Sequence, residues 1–115
     1  MSIRSACAAA ILAGSVLVPG SAAAQVIFSI NHVVTDNLPH GECMRRADAT
    51  LRTAGWTYFD KTSEAVWATT RKRQYMASIY CLTTRDVAVI TAAGPDSKLT
   101  HSMVEELIDE WKRTP

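Results

Sequence analysis

Cys43 and Cys81 are the residues of this chain whose type and number most directly imply chemistry. In an oxidising compartment, an even pair in a small domain is most simply a disulfide. The loop between them would restrict the unfolded chain by roughly 3–4 kcal/mol. The alternatives are a free reactive thiol or a metal pair. His40-Gly41-Glu42-Cys43 does have a His-x-x-Cys spacing. A closed zinc site needs four ligands, however, and no sequence rule brings His32 or His101 to it. No metal is expected.

Other reactive arrangements are absent from the sequence. No serine sits in a G-x-S-x-G or comparable context. No glycine-rich phosphate loop occurs: past residue 24 the glycines are Gly41, Gly55 and Gly94. Glu105, Glu106, Asp109 and Glu110 resemble paired carboxylates, but they lie opposite an apolar helical stripe and read as a solvated face. Arg71, Lys72 and Arg73 form a basic cluster at an expected hairpin tip. It reads either as a solvated turn that blunts the sheet or as a contact for an anion or acidic partner. The expectation is a protein without catalytic residues, not an enzyme, and without a cofactor.

Residues 1–24 have the pattern of a cleavable, Sec-type signal peptide. Arg4 gives a positive start, Ala6 to Val18 is uncharged and mostly apolar, and Pro19-Gly20 breaks it. Ala22 and Ala24 are small at the two positions that signal peptidase requires, placing cleavage between Ala24 and Gln25. As a helix the apolar run would span only about 20 Å, against about 30 Å of hydrocarbon. No stable membrane anchor is expected after cleavage, and Cys7 leaves with the leader. Periplasmic or secreted localisation follows. The chain carries 12 Lys plus Arg against 11 Asp plus Glu. Removing Arg4 balances them, so nucleic acid is not an expected partner.

Residues 25–115 suit one domain. Gln25–Val34 is β-rich, with Val26, Phe28 and Ile30 alternating against Ile27, Ser29 and Asn31. Thr35 to Gly41 reads as a loop. Glu42 to Ala54 reads as a helix with the stripe Cys43, Ala47, Leu51 and Ala54, closed by Gly55. Four strands follow, at 56–60, 65–70, 74–82 and 87–93, joined by short polar turns that suit hairpins. Asp96 or Ser97 offers an N-cap to a last helix. Leu99, Met103, Leu107 and Trp111 recur there at steps of four beside Val104 and Ile108. Asp109 and Arg113 are expected to pair. The order β-α-β-β-β-β-α predicts a two-layer α+β fold: an antiparallel four- to five-stranded meander with both helices on one face.

A bridge from the first helix to Cys81, if it forms, fixes the faces of that sheet. Tyr75, Ala77 and Ile79 share the Cys81 side. Pairing Thr70 with Tyr75 and Leu82 with Val87 adds Val66, Ala68, Ala88, Ile90 and Ala92. The opposite face then carries Trp67, Met76, Tyr80, Leu82, Val87 and Val89, which is apolar where a two-layer domain should be polar. Three explanations are open. The amino-terminal strand or a loop covers this face, or the register is slipped by one residue. The face binds a protein partner or a second copy through stacked sheets. Or it is an apolar ligand site. Trp56 and Trp111 read as core or its rim; Trp67 has no such place.

Glu42-Cys43 with Arg46-Ala47, Leu51-Arg52 and Ala54-Gly55-Trp56 forms a first block of motifs. Tyr75, Ala77, Ile79, Cys81, Val89 and Ala93-Gly94-Pro95-Asp96 form a second. Together they resemble a pattern in small exported bacterial proteins of unknown function, over most of the chain from Glu42. The resemblance implies the α+β fold and a Cys43–Cys81 bridge, and no activity. The resulting expectation is a non-catalytic periplasmic or secreted interaction domain. Its binding surface would be Trp67, Met76, Tyr80 and Val89, rimmed by Arg71, Lys72 and Arg73. A small apolar-ligand carrier of the cell envelope is the second reading.

Overall fold

The computed structural model describes residues 25–70 and 74–115. The expected leader, its cleavage site at Ala24, and Arg71–Arg73 lie outside the described residues.

The elements in chain order are β1 (Ile27–Val34), α1 (His40–Thr53), β2 (Thr57–Lys61), β3 (Ala65–Thr69), β4 (Met76–Leu82), a 3-10 turn (Thr83–Arg85), β5 (Val87–Gly94) and α2 (Ser97–Arg113). The strands form one antiparallel sheet in the order β1-β5-β4-β3-β2. This is the α+β arrangement expected from the sequence, with β1 as the fifth strand.

The strand register follows from side-chain periodicity. Val66 faces Ile79, Ala68 faces Ala77, and Leu82 faces Val87, as the hairpin reading requires. A one-residue slip is thereby excluded. On the helix side, Val33, Val66, Ala68, Ala77, Ile79, Cys81, Ala88, Ile90 and Ala92 are buried. Four of these are alanines, small enough to let the helices approach closely.

Helix α1 starts two residues before the expected Glu42, because Pro39 takes the N-cap position and its carbonyl accepts the Cys43 N–H at 2.9 Å. It buries Cys43, Ala47, Thr50 and Leu51. Gly55, at φ +91°, turns the chain out of the helix in the left-handed region that glycine favours. Asp96 caps α2, its carboxylate accepting the Leu99 N–H at 2.9 Å.

Two expectations for α2 need correction. Its buried stripe is Thr100, Val104, Leu107, Ile108 and Trp111, while Leu99 is exposed and Met103 only partly buried. The stripe is turned toward β1, where the hydroxyls of Thr100 and Ser29 hydrogen-bond at 3.0 Å. Arg113 pairs with Glu110 at 2.6 Å rather than with Asp109. An i,i+3 partner is as close on a helix surface as an i,i+4 one.

The helices are tied to each other at one end. Arg46 of α1 donates twice to the Trp111 carbonyl, at 3.1 and 2.8 Å. Its guanidinium also lies over the Trp111 ring, 4.9 Å from the centroid. The Trp111 carbonyl also accepts the Thr114 N–H at 3.3 Å, so Arg46 adds to this cap, and its cation complements the helix dipole.

Candidate functional site

The disulfide forms. Cys43 of α1 and Cys81 of β4 are bonded, with Cα atoms 6.1 Å apart. Both cysteines are buried, so the bridge is a staple through the core. It fits an oxidising, extracytoplasmic compartment. Neither sulfur remains as a thiol, which removes the reactive-thiol and metal-pair alternatives for Cys43.

His40 has a different role from the one its spacing suggested. Its Nε2 donates to the Ser63 carbonyl at 2.7 Å, and its Nδ1 lies 3.0 Å from the Thr83 hydroxyl. It thus ties the start of α1 to the β2–β3 and β4–β5 turns. The sequence carried no sign of this, since those three segments meet only in the folded chain. Among the described residues, no three His, Cys, Asp or Glu side chains are grouped to hold a metal ion.

The perturbed carboxylates are structural clamps. Asp86, at φ 57°, accepts from the Thr35 hydroxyl and the Asn37 N–H, each at 2.6 Å. These bonds, Thr35 first, hold its carboxyl below the usual range. Asp48 is also lowered, chiefly by its hydrogen bond from Arg52, with desolvation opposing and Lys61 assisting. A general acid near neutral pH needs the opposite shift.

A pH dependence follows from Asp86. A carboxyl depressed in the folded state adds stability above its unfolded value near pH 4, and loses it as pH falls through the folded value. Asp86→Asn keeps a residue tolerant of this backbone conformation but removes the charge. Urea midpoints at neutral pH and at about pH 2.5 should differ less for the variant than for the parent. Equal acid losses would contradict the clamp.

The outer face is the main candidate site. Its side chains fall into rows across the strands, fixed by the observed register. Phe28, Ala93, Met76 and Thr69 make one row. Ile30, Thr91, Ser78 and Trp67 make the next, followed by His32, Val89, Tyr80 and Ala65, then Val34, Val87 and Leu82. Phe28 is 72% exposed, Ile30 69%, Met76 43% and Trp67 38%. The expected residues Trp67, Met76, Tyr80 and Val89 therefore share one surface.

The structure corrects the first explanation offered for this face. The amino-terminal strand does not cover it: β1 joins the sheet beside β5 and extends it. Phe28, Ile30 and Val34 thus enlarge the apolar surface. These are the residues that sequence reading left out of the site, although the alternation of Phe28 and Ile30 was visible.

Polar groups within the face are paired. The Ser78 and Thr91 hydroxyls bond at 2.6 Å across β4 and β5. Tyr80 donates its hydroxyl to Glu64 at 2.5 Å, and that carboxylate raises the tyrosine pKa. At one end an apolar groove of about 510 Å³ is walled by Phe28, Trp67, Tyr75, Met76, Gly94 and neighbouring residues. Gly94 is required there: a Cβ at this position would stand 2.1 Å from Cδ1 of Tyr75.

Comparison with protein-family models and with curated proteins finds no match to this chain.

Proposed function

We propose that this protein is an exported, non-catalytic interaction domain that presents its outer sheet face to a protein partner. One observation carries the reading: an apolar face, exposed from Phe28 on β1 to Trp67 on β3, over which no described element packs. Contiguous apolar surface of this kind marks interaction sites in soluble proteins. The leader pattern in residues 1–24 and the core disulfide support export.

A photoreactive amino acid placed at Trp67, in the host that exports the chain, should give one discrete adduct with a second polypeptide. The same group at exposed Glu106 on α2 should not. Trp67→Ser with Tyr80→Ser should abolish retention of that partner while changing folding stability by no more than about 1 kcal/mol. Equal labelling from both positions, or unfolding of the double variant, would sink the reading.

The groove beside Gly94 favours a second reading, an apolar ligand held between Phe28, Trp67 and Met76. Native mass spectrometry of the exported protein would then show a small-molecule adduct that Met76→Ser removes.

A further inference from the structure

We propose that the free edge of β1 pairs with the β1 edge of a second copy, joining two sheets into one across a two-fold axis. The inference stands on backbone hydrogen bonding and does not require the outer-face partner.

The two edges of the sheet differ. At β2 the ladder is irregular, with a register shift between Thr57 and Asp60 and a positive φ of 54° at Tyr58. Asp60 and Lys61 add charge there. Bulges and charge are the usual devices that stop one sheet edge from adding another strand. β1 has neither. Its ladder with β5 is continuous over eight residues, IFSINHVV, with no charged residue, glycine or proline.

The outward-pointing groups of β1 follow from two hydrogen bonds. Thr35 N–H donates to the Asp86 carbonyl at 3.1 Å, one step beyond the last strand pair. Odd-numbered residues of β1 therefore bond toward β5. The β3–β4 ladder leads to the same parity, counted across the sheet from the Thr70 N–H to the Tyr75 carbonyl. The N–H and C=O groups of Phe28, Ile30, His32 and Val34 thus point away from the sheet. One of these donors, His32 N–H, is held by the Asn31 side chain at 2.8 Å. Pairing would release it.

A second copy fits this edge. Antiparallel pairing of a strand with itself closes as a two-fold dimer and leaves no further β1 edge to extend. Centred on Ile30, it sets Ile30 opposite Ile30 and Phe28 opposite His32 on the outer face, apolar and aromatic neighbours of the kind that stabilise strand pairs. With Arg4 gone with the leader, Lys plus Arg and Asp plus Glu balance, so no net charge drives copies apart. Two eight-residue edges bury less than the roughly 1,200 Å² at the lower end of stable interfaces. The dimer is therefore reversible.

Proline distinguishes this edge from the fold. Ile30 N–H serves no bond within the sheet, and proline is tolerated on edge strands with the N–H side outward. Sedimentation of the protein purified after expression of the full chain should show a monomer–dimer equilibrium in the micromolar range. Ile30→Pro should abolish the dimer and keep the parental circular dichroism. If Ile30→Pro unfolds, Ile30→Lys replaces it, since the two-fold axis would set two ammonium groups side by side. Trp67→Ser with Tyr80→Ser should leave the dimer intact. A monomer at every concentration, or a dimer that survives the position-30 variant that folds, overturns the proposal. So does a dimer lost only in the Trp67 and Tyr80 variant, because the copies would then stack face to face.

Discussion

Replacing Cys43 and Cys81 together with alanine should lower the free energy of unfolding by about 4 kcal/mol in the chain-entropy description. The two cysteines are separated by 38 positions, so the bridge closes a long loop that the unfolded chain must otherwise explore. That loop spans most of α1 and all of β2 and β3. Packing adds to the loss, because both sulfurs sit in the buried cluster with Leu51, Ile79 and Trp111. Domains of this size hold only about 5–15 kcal/mol in total. The double variant, and the parent treated with reductant, should both show a lower urea midpoint. A change below about 1 kcal/mol would mean that the core holds without its staple.

Ile90→Ala and Ile30→Ala should differ sharply, although the deleted atoms are the same. Ile90 lies on β5, an interior strand between β1 and β4, faces the helices and is 0% exposed. Its truncation removes contacts and leaves a space that the sheet and helices cannot fully close, at roughly 2–5 kcal/mol. Ile30 is 69% exposed on the outer face. Its truncation should change monomer stability by about 0.5 kcal/mol or less. Chemical denaturation of both variants, well below the concentration at which copies associate, measures the contrast. Comparable losses would show that the outer face is covered in solution.

The difference between these two isoleucines was only half legible in the sequence. Ile90 could be placed because strand side chains alternate strictly and Cys81 fixed the parity of β4. Each short hairpin then passed that parity to the next strand. Ile30 could not, because β1 has no hairpin to its neighbour. It pairs with β5, as in Ile27 with Gly94, across most of the chain. Its more apolar stripe, Phe28 and Ile30, also turns away from the helices, against the simplest reading of amphipathicity. Ser29 takes the inward position, bonded to Thr100. The misplaced α2 stripe has the same origin, since rotation of a helix about its axis is decided by what it packs against.

Local pattern therefore determined the order of elements and the hairpin registers, which depend on residues close in sequence or on strict alternation, while the count of cysteines past residue 24 left a single pair. Tertiary structure alone decided where β1 docks, which way α2 turns, and that His40 and Asp86 act as clamps between distant turns. Each of those depends on segments brought together only by folding. The consequence, among the described residues, is a sheet with one face sealed by helices and a bridge, and the other left apolar and exposed.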